Sequence, residues 1–291
     1  IIFSLLFKPL PNEALINSIA AVRVDNWSNI IFQSCTFTSN NTALKPFNIK
    51  FFHGRNTSLM LYNIIIERLS LMNSFYFIQL EKGSNISINT LYMKDSAFND
   101  SGFVASTGAF NKVVKNARFH NIIFNSNRLP FLYSVDLYSL VLTNLSFEGL
   151  EVSYDGPFNF FNIELQGESA NITDFLIKNT RIFSNKSLIF LSFLSSSSPS
   201  SSIIILRFYS LNSTYKQTII SLIGSLSLQM IDGFLFENKG FELINFEKLA
   251  KTIIKNFTCM NSNVQSRYNN GEFYKANMVL PGTCLKMIET G

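Results

Sequence analysis

Carboxylates have the first claim to chemistry in this chain. Glu67 and Asp95 stand 28 residues apart, and so do Asp136 and Glu164. If the chain repeats at that interval, each pair stacks on adjacent coils about 5 Å apart. That is near the separation of a retaining glycosidase pair, and a shared site raises one carboxyl pKa. Arg23, Gln79, Asp136 and Glu164 would then share one outward column. Repetition alone also stacks some carboxylates, and the sequence contains no Asp-Asp. The two histidines, His53 and His120, have no Ser or Cys partner at a recognisable spacing, which leaves a triad or a histidine general base without support. Cys35, Cys259 and Cys284 show no paired metal-ligand spacing, which excludes a zinc site. The reading is a non-enzyme with no catalytic residues, no metal and no cofactor.

The elements that position these residues recur. Ser139–Gly149 reads as an apolar strand, an Asn at a bend, an apolar residue three places later and a turn. First-strand starts fall at Ile2, Ile30, Leu59, Ile86, Val113, Leu140, Ile172, Ile203, Leu226 and Ile253, giving ten units of about 28 residues. Ser34 replaces the bend Asn in the second unit and Asp232 in the ninth; the eighth offers Tyr209 or nothing. A second strand is read from Ile19, Phe47, Phe75, Phe103, Phe131 and Phe158, a column of core residues. Apolar spacing is two, β-branched and aromatic residues dominate, and two-residue hairpin loops are rare. Strands that return with the same columns stack in parallel, at about 4.8 Å per rung, as a coiled solenoid.

The units Asn63-x-x-Ile66, Asn89-x-x-Tyr92, Asn116-x-x-Phe119, Asn144-x-x-Phe147, Asn179-x-x-Ile182 and Asn256-x-x-Cys259 carry a resemblance. The pattern resembles the right-handed parallel β-helix repeats of pectin-lyase-like proteins, closest in character to protist cell-surface repeat proteins. It covers residues 1–263, leaving 264–291 as a degraded last rung, cap or junction. The resemblance implies an all-β parallel β-helix with a ladder of buried Asn amides at Asn63, Asn89, Asn116, Asn144, Asn179 and Asn256. It does not extend to activity: the Gly-His-Gly, Arg-x-Lys and multi-Asp clusters of the family's enzymes are missing, and His53 sits in Phe-His-Gly-Arg.

Ten Asn-x-Ser/Thr sequons occur. Asn26, Asn40, Asn56, Asn85, Asn99, Asn171, Asn185 and Asn212 fall at turns or strand entries and are expected to carry N-glycans, whereas burial should block Asn144 and Asn256. Cys259 and Cys284, 25 residues apart, could meet across adjacent coils as a disulfide in an oxidising compartment; Cys35 reads as a core thiol, with an intermolecular bond as the alternative. The run Ser195–Ser202 reads as a solvated loop with O-glycosylation as the other reading.

Hydrophobic residues make up 47% of the 291 residues and charged ones 15%, the balance of a folded chain. The net charge of +5 is scattered, without the clustering a nucleic-acid surface needs. No stretch approaches the ~20 apolar residues of a membrane span. Ile1 enters directly into strand-like sequence, so the N-terminal end is expected to be covered by further sequence or to dock onto another molecule. The function expected is an extracellular or cell-surface structural glycoprotein, self-associating end to end in a fibre or coat. A polysaccharide-processing or carbohydrate-binding β-helix is the alternative.

Overall fold

The structure, a computed structural model, describes residues 20–38, 50–72, 76–108, 111–125, 129–154, 158–166, 169–184, 188–195, 201–214, 218–224, 226–247, 251–269, 272–276 and 285–290. Its regular elements are all β-strands, and their pairings are parallel. Each turn of the chain lays a strand on its equivalent in the turn before. Ile30 lies on Leu59, Leu59 on Ile86, Ile86 on Lys112 and Lys112 on Leu140. The same column continues through Ala170, Ile203, Leu228 and Thr252. The fold is a parallel β-helix.

The rungs are unequal, as the uneven gaps between the expected strand starts already implied. The step is 33 residues from Ala170 to Ile203 but 24 from Leu228 to Thr252. The expected first rung at Ile2 lies outside the described residues, so the structure shows fewer complete turns than ten. Pairing also continues past residue 263. Strands Asn263–Asn269, Glu272–Ala276 and Leu285–Thr290 stack on earlier coils.

Corners set the shape. Along a strand, side chains alternate in and out. At a corner one residue takes the left-handed conformation, adding one outward position and turning the chain while the next side chain again points inward. In Leu142-Thr143-Asn144-Leu145 the two leucines are buried and Asn144 is exposed with φ 54°. A second such residue follows five places later in coil after coil: Asn63 and Arg68, Thr90 and Asp95, Asn116 and Asn121, Asn144 and Gly149, Asp174 and Asn179, Arg207 and Asn212, Asp232 and Glu237, Asn256 and Asn261. The four residues between each pair form a short flat side. Asn and Asp supply fourteen of the nineteen described non-glycine residues with positive φ, because their short polar side chains tolerate that conformation.

Corner backbone groups keep their partners. Arg68 N–H donates to Lys94 O at 3.1 Å and Asn212 N–H to Phe236 O at 2.9 Å, so the rung bonds run around the bend. Just past several corners the next N–H is met by a buried serine of the following coil. Leu69 N–H donates to Ser96 Oγ at 3.1 Å and Asn238 N–H to Ser262 Oγ at 2.9 Å. Each of these hydroxyls donates in turn to a carbonyl two residues back in its own chain. The inward serines therefore complete backbone bonding that the bend would otherwise leave open.

The core is filled by columns of phenyl rings. The aligned column is Phe51, Phe77, Phe103, Phe131 and Phe160, whose successive rings are stacked with centroids 5.1, 6.1, 5.4 and 4.9 Å apart. The expected column agrees at Phe103 and Phe131. Phe158 gives way to Phe160, while Phe47 and Phe75 lie outside the described residues and Phe51 and Phe77 hold those places. A second column passes from Phe119 to Phe147 at 4.6 Å, and a parallel one from Phe175 to Phe208 at 5.9 Å. Edge-to-face contacts join the columns: Phe131 meets Phe98 at 5.3 Å and Phe119 at 5.4 Å.

Phe131 thus joins several columns of the described core. Phe131→Ala should cost about 3–5 kcal/mol in urea unfolding, whereas Ile123→Ala, at an exposed position, should stay within about 0.5 kcal/mol. Equal losses at the two sites would contradict this packing.

Candidate functional site

The structure separates Glu67 from Asp95, a carboxylate pair that the 28-residue spacing would stack. Glu67 lies on Lys94 in the register and forms an ion pair with it at 3.0 Å. Asp95, one position further on, is a corner residue that accepts a hydrogen bond from Asn121 Nδ2 at 3.1 Å. Asp136 is also a corner residue, accepting from Gln166 Nε2 at 2.6 Å. Glu164 stands opposite the irregularity between Ser134 and Leu137. The outward column that begins at Arg23 runs through His53, Gln79, Ala105, Tyr133 and Asn162, so Asp136 and Glu164 are not its next members. Burial, helped by Glu164 and then Asp136, raises the Tyr133 phenol above its ordinary pKa.

His53 Nε2 lies 2.9 Å from Glu81 Oε1, and His120 Nδ1 lies 3.8 Å from Glu148 Oε2. His120 belongs to an outward column of mostly alternating charge, Glu67, Lys94, His120, Glu148 and Lys178. Among the described residues, no group of three or more His, Cys, Asp or Glu could hold a metal, and no helix is long and apolar enough to cross a membrane.

The asparagine ladder exists, but on the outside. Asn63, Asn116, Asn144, Asn179 and Asn256 are exposed, which corrects the expectation of buried amides. A corner turns its extra residue outward, so the amides stack on the surface. Asn116 Nδ2 donates to Asn89 Oδ1 at 3.2 Å, and Asn144 Nδ2 to Asn116 Oδ1 at 2.9 Å. Asn89 is not itself left-handed; its neighbour Thr90 holds the corner. Asn179 belongs to the second ladder, not the first. Asp174 is the corner residue in register with Asn144, while Asn179 accepts from Asn212 Nδ2 at 3.0 Å. In the first ladder Arg207 bonds Asp174 through Nη2 at 2.9 Å and holds that carboxyl below its usual pKa, and Asn256 Nδ2 reaches Asp232 Oδ1 at 3.0 Å.

This geometry changes the sequon reasoning. Asn144 and Asn256 are exposed, so burial does not block them; they share their surroundings with Asn212, another ladder residue. Asn56, at a corner, and Asn85, Asn99 and Asn171, in strands, are half-buried. Asn85 Oδ1 accepts from the Asn111 backbone N–H at 3.1 Å. Asn26 falls in strand Ala20–Gln33 with its side chain outside the described residues, where Asn40 and Asn185 also lie. Cys35 is free and buried, and Cys259 is disulfide-bonded. Cys284, the partner expected for Cys259, lies outside the described residues.

One chemical group escaped the sequence reading. Lys112 is completely buried, in the inward column between Ile86 and Leu140. Its Nζ donates to Ser134 Oγ at 2.5 Å and to Tyr133 O at 3.3 Å, and Ser134 Oγ lies 2.8 Å from Ser106 Oγ. Burial lowers its pKa from 10.5 to about 7. The sequence did hold a signal. Counting back by two from Val114 places Lys112 inward, but starting the strand at Val113 hid it.

Comparisons of the chain with protein-family models, curated proteins and solved structures returned no match.

The corner account makes a quantitative claim about Asn144. Asn144→Ala should destabilise by about 1–2 kcal/mol through left-handed strain and the lost amide bond. Asn144→Gly, which relieves the strain, should recover part of that loss. Urea titration of both variants checks this, and an alanine variant as stable as wild type would refute it.

Proposed function

We propose that this chain is a structural element of an extracellular fibre or cell-surface coat, N-glycosylated on its outer surface and assembled by end-to-end stacking of solenoids. The observation that carries the reading is the in-register parallel pairing along the coil, with hydrogen bonds pointing along the axis. A strand at the end of such an array presents the same bonding pattern to a further strand that each rung presents to the next. The partners of two of these carboxylates support a non-catalytic role, since Glu67 is neutralised by Lys94 and Asp136 is tied to Gln166. Exposed sequon asparagines at the corners Asn144, Asn212 and Asn256 suit glycans that project from the rod without entering its core.

Electron microscopy of the native material tests assembly. Filaments whose axial repeat is about 4.8 Å are expected, and discrete single rods at every accessible concentration would remove assembly as the function. Peptide mapping tests the glycans. Carbohydrate should be found on several of the ten sequons, and ten bare asparagines would end the glycoprotein reading.

One observation favours a second reading, a carbohydrate-binding face. Half-buried Tyr133, stacked at 6.3 Å on the buried Tyr76, borders a surface that also carries Asn162, Gln166 and Asp136. Aromatic faces beside amides and carboxylates suit sugar rings. In that case Tyr133→Ala should weaken binding to an immobilised polysaccharide at least tenfold; an unchanged affinity would close this alternative.

A further inference from the structure

Among the described residues, Lys112 is the only Lys, Arg, Asp, Glu or His that is fully buried. No carboxylate answers it. The preceding coil faces it with Ile86 and Ile88, the following coil with Leu140 and Leu145, and the far side of the core with Val104, Leu132 and the rings of Phe103, Phe131 and Phe161. Its polar contacts are the Ser134 hydroxyl and the Tyr133 carbonyl, with Ser106 behind Ser134. The titratable groups on these strands stand at outward or corner positions: Tyr92, Lys94 and Asp95 in Asn85–Asn99, Lys115, Arg118 and His120 in Asn111–Asn125, Tyr133 and Asp136 in Leu132–Leu137, Glu148 in Ser139–Glu148 and Glu164 in Phe158–Leu165. A void of about 10 Å³, lined entirely by apolar surface, adjoins the lysine. That is at the lower limit for a single water and offers no polar partner to hold one.

We propose that Lys112 makes these central coils a pH-controlled weak point of the solenoid. As a neutral amine it completes a hydrogen-bonded set with Ser134 and Ser106 inside an apolar core. As an ammonium it is a buried charge with no counter-charge, and the strands Gly102–Thr107 and Leu132–Leu137 open to let water reach it. The direction follows from linkage. The folded-state pKa is lowered to about 7 while the open chain titrates near 10.5. Between those values the open state binds one more proton than the closed state. Closure is therefore strongest at high pH, weakens as pH falls towards about 7, and levels off below it.

Hydrogen exchange on the full chain between pH 6 and pH 9, corrected for intrinsic rates, tests the proposal. The opening constant of amides in Gly102–Thr107 and Leu132–Leu137 should rise about tenfold for each unit of acidification down to pH ~7. Amides of the distant strand Ser201–Leu211 should respond less. Lys112→Met, which keeps the volume and removes the proton site, should abolish the dependence. Ser134→Ala deletes the acceptor, and should extend the slope below pH ~7 because the ammonium loses its best partner. This second variant keeps the test decisive if Lys112→Met does not fold. A wild-type opening constant that ignores pH, or a dependence unchanged in either variant, would overturn the proposal.

Discussion

Parallel pairing between successive coils is the constraint on which the rest of this structure depends. A strand can lie on its equivalent one turn later only if every bend occurs at the same place in each coil. A bend at a different place would move inward side chains to the surface. The left-handed corner residue meets that requirement, because it turns the chain and restores the inward alternation with one extra outward residue. The constraint applies to conformation more than to residue type. Arg207, Thr90, Arg68 and Glu237 occupy corners alongside asparagines, at a local cost of about 1–2 kcal/mol each. The rung bonds on both sides and the contacts to neighbouring corner side chains offset that cost. Arg207, for example, is held by the Asp174 carboxylate.

The same constraint explains what the interior contains. Because the bend interrupts regular pairing, a hydrogen-bond acceptor is needed just past it, and a buried serine of the following coil supplies one at Ser96 and Ser262. Elsewhere the inward columns stack like on like, and phenyl rings fill the space with both parallel and edge-to-face contacts. Lys112 departs from this pattern. It occupies a column position that Ile86 and Leu140 fill on either side, and its nitrogen reaches across the core to the Ser134 hydroxyl. Protonation at that nitrogen is therefore coupled to the integrity of the coils above and below.

Much of the fold was legible in the sequence because the corners and columns have preferred residue types. Ser34 and Asp232, read as stand-ins for the bend Asn, both occupy left-handed corners. Where preference is weak the reading failed. Arg207 gives no corner signal, so the eighth unit offered only Tyr209. In the seventh unit Asp174 and Asn179 are both corners, and choosing the Asn selected the second ladder in place of the first. The phenylalanine column slipped at Phe158 because loops of varying length separate the faces, and a fixed 28-residue step drifts away from the true register. The Glu67–Asp95 pair failed for the same reason. Asp95 falls on Arg68 and not on Glu67, since a one-residue displacement moves a side chain from a strand to a corner. The buried lysine was hidden by its type, which argues for a surface position until the register is known.

The central claim is this register, and disulfide trapping measures it directly. Val141 and Asn171 are outward partners on adjacent coils. Val141→Cys combined with Asn171→Cys should close a disulfide under mild oxidation, with the fold retained. Val141→Cys combined with Thr173→Cys, two residues out of register on the same face, should not. Efficient bonding of the 141–173 pair and none of the 141–171 pair would contradict the stacking on which the account rests.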